Sequence, residues 1–421
     1  MRGKRSFRFN FFVFILCLAI SYVQDVQDVQ AAQAATKSGN EFNPAINLIL
    51  DGRYTSYGND FALPGFVLGG EAGLPEKGFG LGHSELSLSA NIDPTFYGAM
   101  IVALHQEEGE THVELEEAYV ETLKLDHGLT LKMGKFRSQL GYLNSIHEHA
   151  HDFTDVPLVY SAFFGNSLID SGMQLRWVVP IDAYVELGGE WLSGTAFPGG
   201  TQNHNNQGGV LFAKTGGDLS ESTSWQLGSS LYRTKFDERS GAMHEHSDTS
   251  AEHVIEYSEG GVKAYGVDFV YKWAPRGNAT QKNLKIQGEF FIKKEDSAIH
   301  FSEAENNLLA DFSGKGQGLY VQTLYQFMPK WRVGVRADYL KPDNQFSNEQ
   351  ESGVTLQDFF DDTLLNADKS IIKKTIMIDY STSEFAKLRF QVANIDIENA
   401  QDTQVMLQYL MSLGSHGAHK F

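Results

Sequence analysis

Residues 331–340 read WRVGVRADYL, and two kinds of residue alternate along them. The odd-numbered positions are apolar or aromatic, whereas the even-numbered ones include two arginines, a glycine and an aspartate. Successive side chains of a β-strand point to opposite faces, so the stretch predicts a strand with one apolar and one polar face. The same pattern recurs at 265–273 (YGVDFVYKW), 319–327 (LYVQTLYQF) and 405–413 (VMLQYLMSL). Tyr, Trp and Phe often end these stripes, as they do at membrane interfaces.

About sixteen segments of this kind account for most of the chain. They are predicted at 44–56, 80–92, 95–106, 111–123, 128–138, 169–179, 182–193, 207–216, 222–236, 262–274, 283–294, 316–328, 330–341, 371–381, 384–396 and 402–413. Short links such as 93–94, 180–181 and 382–383 mostly alternate with long ones. The long links are 57–79, 139–168, 194–206, 237–261, 295–315 and 342–370. We therefore expect an all-β fold, a transmembrane antiparallel β-barrel with long external loops. A soluble all-β fold is the alternative.

The N-terminus predicts export. Four basic residues precede a short apolar run at 11–20, and Ala32-Gln33-Ala34 matches a cleavage signal. We expect residues 1–34 to be a signal peptide and 35–421 to form the barrel; an N-terminal anchor is the alternative. The only cysteine, Cys17, would be removed with the signal peptide. The terminal Phe421 resembles the signal that the barrel-assembly machinery reads during biogenesis.

Charge and composition exclude several classes of protein. The chain carries a formal charge of −19, and removal of the +2 of residues 1–34 leaves about −21, which argues against nucleic acid as a partner. No run of 18 apolar residues follows the signal peptide. No G-x-S-x-G element is present, and we expect no enzymatic activity. Outer-membrane lipid and lipopolysaccharide are the expected surroundings, with Glu107, Glu108 and Glu110 as contacts through divalent cations.

Four blocks carry a family resemblance: NPAINLILDGRY (43–54), GFGLGHSELSLSANID (78–93), VELEEAYVETL (113–123) and MGKFRSQLGYLN (133–144). They resemble proteobacterial porin-like barrels that are distantly similar to the phosphate-selective porins O and P. Relatives of this kind are sometimes called zinc-regulated outer-membrane receptors. The resemblance implies a passive, 16-stranded pore in the bacterial outer membrane, assembled as a homotrimer.

The charges on the strands differ from those of a phosphate pore. Phosphate-selective porins line the lumen with lysine and arginine, whereas strand-borne acidic groups outweigh the basic ones here. A negative lumen favours cations. The residues expected to line the pore are Lys132, Arg137, Asp155, Arg176 and Glu186.

The loop at 139–168 contains the sequence SIHEHAHDF (145–153). Ser145 and Glu148 match a capping box, so a short helix could place His147 and His151 on one face, a spacing that binds zinc. His149 and Asp152 could add ligands. The string also fits H-E-x-x-H, but a protease needs a long buried helix and a third ligand. Ordinary polar lining of a pore is the other interpretation.

A second group of histidines lies at His244, His246 and His253. These side chains could bind a divalent cation such as Zn²⁺, or they could simply be solvated. No other cofactor is expected. Three functions remain open: a channel for small hydrophilic solutes or ions, a selective entry barrel for divalent metals, and a structural or adhesin barrel without transport.

Overall fold

The computed structural model describes residues 44–58, 63–107, 110–200, 208–240, 253–303, 306–397 and 400–414. The predicted signal peptide, His244, His246 and Phe421 lie outside these ranges, as does the side chain of His253. What the sequence predicts for those residues stays a prediction.

Seventeen strand segments follow one another in the described chain. The first nine, of 4 to 13 residues, are β1 (Ala45–Ser56), β2 (Gly78–Leu81), β3 (Ser84–Asn91), β4 (Phe96–Glu107), β5 (Glu110–Thr122), β6 (Leu129–Arg137), β7 (Ile169–Val178), β8 (Tyr184–Leu192) and β9 (Gly208–Ser220). The remaining eight, of 12 to 23 residues, are β10 (Thr223–Ser240), β11 (His253–Trp273), β12 (Asn283–Glu303), β13 (Asn306–Met328), β14 (Trp331–Ser352), β15 (Ile371–Ser383), β16 (Ala386–Ile397) and β17 (Ala400–Gly414).

The strands close into one antiparallel barrel. Each pairs with its neighbours in the chain, and β17 returns to β1, where Leu48 lies opposite Leu413. β2 and β3 both pair with β1, so they are two parts of one crossing that is interrupted at Gly82 and His83. Sixteen crossings result, which confirms the predicted fold class. Closure leaves no sheet edge with unpaired backbone groups.

The wall of the barrel is apolar outside and polar inside. Val267, Val335 and Tyr409 point outward with 38 to 52% of their surface exposed. On the inner face of the same strands, Asp268, Arg336 and Gln408 are nearly completely buried. This is the reverse of a water-soluble sheet and fits a wall that contacts hydrocarbon. The predicted apolar stripes therefore lie on the outer face.

Strands β11 to β14 continue about ten residues beyond the predicted segments. The predicted loops 237–261, 295–315 and 342–370 were therefore wrong in part, since 253–261, 295–303, 306–315 and 342–352 are strand. Along β13 the polarity reverses: Leu308 and Phe312 point inward, whereas Asp311 and Ser313 face the other side. This upper wall has the polarity of a water-soluble sheet and stands above the apolar band.

Residues 138–168, which connect β6 to β7, fold into the barrel. Their one α-helix, α1 (Leu158–Phe164), is completely buried and packs on β13 and β14. Gly316 and Gly318 of β13 face the helix, and a Cβ atom at either would collide with Phe163 or Val159. A second helix, α2 (Leu356–Thr363), follows β14 and packs Phe359 against Phe301. Neither α1 nor α2, the α-helices of the described chain, has the length and apolarity that crossing a bilayer requires.

Candidate functional site

The inserted loop 138–168 is attached to the barrel along its whole length. At its start, the Ser138 hydroxyl donates to Glu190 of β8, and Asn144 ties the backbone of residues 138 and 168 together. Across the lumen, Glu289 of β12 accepts hydrogen bonds from the backbone of Tyr142 and Leu143 at 2.9 Å each. The loop therefore spans from one wall to the other and constricts the interior.

Residues 152–155 of this loop are held by basic side chains, and we call this arrangement the charge clamp. The Asp152 carboxylate lies 2.9 Å from Lys285 and 2.7 Å from Arg332. The Asp155 carboxylate lies 2.8 Å from Arg336 and 2.7 Å from Lys373. Arg336 and Lys373 are 1% and 2% exposed. Each aspartate thus faces two cations.

The same contacts fix the charge state of the clamp. Burial alone would raise the pKa of Asp152, but Lys285 and Arg332 outweigh it and hold that pKa well below its usual range. The pKa of Asp155 is lowered in the same way by Arg336 and Lys373. Both carboxylates are therefore ionised at neutral pH, and their charges are compensated.

A few residues earlier, the loop meets the opposite wall in what we call the acid–histidine cluster. Its members are His83, Glu85, Glu116, Glu117, His147, Glu148 and His149. Nδ1 of His149 lies 2.9 Å from Glu85, and Nδ1 of His147 lies 3.2 Å from the other oxygen of Glu85. Nε2 of His147 lies 3.2 Å from Glu117. Arg137 pairs with Glu116, and its charge also acts on Glu85 and Glu148.

A β-bulge in β5 brings two of these carboxylates to the same face. Ile101 pairs with Glu117 and Val102 with Leu115, so Glu116 is an extra residue without a partner on β4. Glu116 and Glu117 are consequently both buried inside the barrel, at 3% and 4% exposure. Strict alternation would have sent one of them to the lipid face.

His147 and His151, at the two ends of the sequence HEHAH (147–151), differ in environment. Burial alone would lower the pKa of His147, but Glu85 and Glu117 raise it to about 9. His151 lies apart from the cluster, where Nε2 meets the carbonyl oxygen of Ile146 at 3.0 Å. Burial lowers the pKa of His151 to about 4, so it is neutral.

The predicted metal ligands therefore separate into two groups. His147 and His149 lie in the acid–histidine cluster, whereas Asp152 belongs to the charge clamp and His151 to neither. The predicted helix from Ser145 was wrong, because the chain forms two short 3₁₀ turns at Leu143–Ser145 and Glu148–Ala150 without a side-chain cap. His147 and His151 accordingly share no helix face.

The five residues predicted to line the pore are placed as follows. Arg137 and Glu186 are buried in the wall at 4% exposure, and Asp155 is in the charge clamp. Lys132 and Arg176 flank Glu121, with nitrogen atoms 3.7 and 3.0 Å from its carboxylate. Sequence reasoning missed His83, Glu85 and Glu117. The Gly82–His83 break in an otherwise regular strand is the one sequence feature near them.

A cavity of about 340 Å³ lies beside the charge clamp. It is enclosed by the inserted loop, by residues 63–75 of the loop after β1, and by the wall. Arg53, Glu148, Asp155 and Lys373 contribute its charged surface, and the rest is largely apolar. The two loops together therefore occupy the interior at the end of the barrel that carries the long connections between strands.

Comparison with known proteins supports the architecture. The chain is similar to OprB of Pseudomonas putida, with a TM-score of 0.50 at 9% identity over 88% of this chain and 94% of that one. It is equally similar to an anion-selective porin from Comamonas acidovorans, with a TM-score of 0.50 at 10% identity over 88% and 99%. At such identities the likeness concerns the fold, which is that of Gram-negative outer-membrane barrels, and it confirms the predicted location.

Sequence comparison finds an uncharacterized protein of Aquifex aeolicus (strain VF5), 28% identical over 363 residues, which are 82% of this chain and 71% of that protein. No profile of a known protein family matches the chain. The resemblance to phosphate-selective porins O and P stays a prediction.

Proposed function

We propose that the protein is an outer-membrane channel for the passive diffusion of small hydrophilic solutes or ions. The observation that carries the proposal is the inverted wall, apolar outside and charged inside, with a loop anchored across the lumen. A barrel of sixteen strands is wide enough to leave an aqueous channel, whereas side chains alone fill a barrel of eight. A water-filled path gives such an interior its purpose.

We further propose that the channel prefers cations. The basic groups around the charge clamp pair with four carboxylates and so offer little uncompensated positive charge to an anion; these are Asp152, Asp155, Asp338 and Asp379. The acid–histidine cluster has four carboxylates, whose nearest cations are Arg137 and the protonated imidazole of His147. Rings or clusters of acidic side chains favour cations in a pore. The phosphate selectivity of porins O and P is therefore not transferred to this chain.

Planar-bilayer recording under a KCl gradient tests both statements. We expect single-channel conductance with a reversal potential that indicates cation preference. Replacing Glu116→Gln and Glu117→Gln together removes two buried negative charges and should lower the cation-to-anion permeability ratio a few-fold. Glu114→Gln is the matched control on the same strand, because its side chain is 49% exposed. It should leave the ratio unchanged.

Absence of any conductance from correctly folded protein would contradict the channel and leave a structural or adhesin barrel. An equal cation-to-anion permeability ratio in the double variant and the control would contradict the proposal that the buried carboxylates of the acid–histidine cluster cause the cation preference. Assembly as a homotrimer and contact with lipopolysaccharide are proposals as well, to be tested by native mass and by binding to lipopolysaccharide micelles. Glu107 and Glu108, named for that contact, have side chains outside the described part of the molecule.

The second candidate function is selective entry of divalent metal ions. One observation favours it, since three histidines and four glutamates meet where the loop narrows the lumen. Blockage of the KCl conductance by micromolar Zn²⁺ is expected for this function and is not expected for an unselective pore.

A further inference from the structure

We propose that Glu85, His147 and His149 bind one transition-metal cation of the Zn²⁺ type, which joins the constricting loop to the barrel wall. Glu85 belongs to β3 and the two histidines to the inserted loop, so the ligands come from both sides of the contact. The inference rests on the proposed function for the route by which the ion reaches the lumen, and it deepens the second candidate.

The donor set suits such an ion. One carboxylate oxygen and two imidazole nitrogens lie within 4.8 Å of one another. Imidazole and carboxylate together bind Zn²⁺, Cu²⁺ or Ni²⁺, whereas Mg²⁺ and Ca²⁺ prefer oxygen ligands alone. Zinc–ligand bonds of about 2.0–2.2 Å place tetrahedral donors roughly 3.3 Å apart, so small side-chain rotations would bring these donors to an ion. Three protein ligands leave the fourth position for water or a solute.

An unpartnered nitrogen points into the same place. Nδ1 of His147 is buried and has no hydrogen-bond partner among the described residues. Its contacts with Glu85 at 3.2 Å and Glu116 at 3.8 Å are those of an ion pair. A buried polar atom without a partner is costly, and an ion at this point would satisfy it.

Two other groups of donors lie next to this site, and each contains one histidine and not two: Glu71 with His83 and Glu148, and His83 with Glu85 and Glu116. Arg137 pairs with Glu116, which leaves Glu85 as the carboxylate that faces both histidines. His83 lies 3.3 Å from Glu116 and 3.7 Å from Glu85, so it can support the orientation of either. A purely electrostatic cluster would need no particular pair of histidines, and this difference makes the site testable.

The test is isothermal titration of ZnCl₂ into the full barrel, folded in detergent micelles and purified without a histidine tag. We expect one ion per chain in the native protein. His149→Ala and Glu85→Gln should each weaken binding at least about 10-fold. His151→Ala is the matched control, because it removes a histidine of the same loop that lies outside the site. It should bind as the native protein does.

Two further titrations separate this site from the remaining histidines and from a general affinity for divalent cations. A His244→Ala/His246→Ala/His253→Ala variant removes the other histidine group and should keep the one-to-one binding, and a tenfold excess of MgCl₂ should not displace Zn²⁺. Equal affinity of His149→Ala, Glu85→Gln and native protein, each with native circular dichroism, would overturn the site, as would loss of binding in the triple variant. Zinc binding without conductance would uphold the site and reject the channel, and conductance without binding would do the reverse.

Discussion

Two parts of the same loop, a few residues apart, treat charge in opposite ways. In the charge clamp each aspartate meets two cations at 2.7 to 2.9 Å. Two of these cations, Arg332 and Arg336, also pair with a second carboxylate, Asp379 and Asp338 respectively. In the acid–histidine cluster the carboxylates of Glu85, Glu116 and Glu117 face imidazoles, whose charge depends on a bound proton or ion. Both parts are largely buried, so the difference lies in chemistry and not in exposure.

The contrast indicates that the charge clamp attaches the loop to the wall, whereas the acid–histidine cluster is suited to bind an ion. A buried carboxylate with two permanent cations has no need of a further ligand, and it serves to hold the loop against β12 to β15. A group of carboxylates with imidazoles takes its positive charge from bound protons, which a metal ion can replace. Only the second arrangement can exchange ions without releasing the loop. The charge clamp thus holds the loop in place, and the acid–histidine cluster is the part of the loop that could bind an ion.

The largest effect is expected from breaking the clamp. Asp155→Ala would leave Lys373 buried without its carboxylate and Arg336 with Asp338 alone, and loss of one partner of a buried ion pair costs about 3–5 kcal/mol. We expect the free energy of unfolding to fall by about that amount in reversible urea unfolding from lipid vesicles. Single-channel conductance should rise as the loop loosens.

Asp343→Ala provides the control for this variant, because Asp343 is exposed on the upper part of β14. It should change the free energy of unfolding by less than about 0.5 kcal/mol. A similar loss in both variants would show that the clamp does not secure the loop.

A smaller effect is expected at the central attachment. Glu289 accepts hydrogen bonds from the backbone of Tyr142 and Leu143 and from the hydroxyls of Tyr160 and Tyr320. Glu289→Gln keeps the size but replaces one acceptor oxygen by an NH₂ group among donors, which costs about 1–3 kcal/mol. Hydrogen exchange at residues 140–145 should accelerate while exchange in β15 and β16 stays slow. Equal acceleration everywhere would indicate damage to the whole barrel instead.

The membrane-spanning part of the fold could be predicted from sequence because lipid imposes a simple rule. Every second residue must be apolar, and stripes such as 265–273 and 331–339 obey it. The upper wall could not be predicted in this way. Above the bilayer the outer face becomes polar and the inner face apolar, and a bulge in β11 between Ser258 and Gly261 also shifts the phase of the alternation.

The candidate site was predicted only in part, and the reason is geometric. The string around His147 marked the correct loop, but its helix spacing predicted His151 as the partner, and the structure brings His149 to Glu85 instead. Glu85 is 62 residues earlier in the chain than His147, and a contact of that range has no local signal. The bulge that turns Glu117 inward likewise leaves no mark in the composition of β5.

The smallest effect is expected from an ion pair on the same wall as the cluster but open to solvent. Lys135 lies 3.2 Å from Glu114, with 30% and 49% of the two side chains exposed. Solvent screens such a pair, and its net contribution is about 0–1 kcal/mol. Lys135→Met, which keeps most of the aliphatic side chain, should lower the free energy of unfolding by no more than that in the same urea experiment. A loss near that of Asp155→Ala would mean that burial is not what distinguishes the clamp, since Lys135 would then stabilise the barrel as strongly from an exposed position.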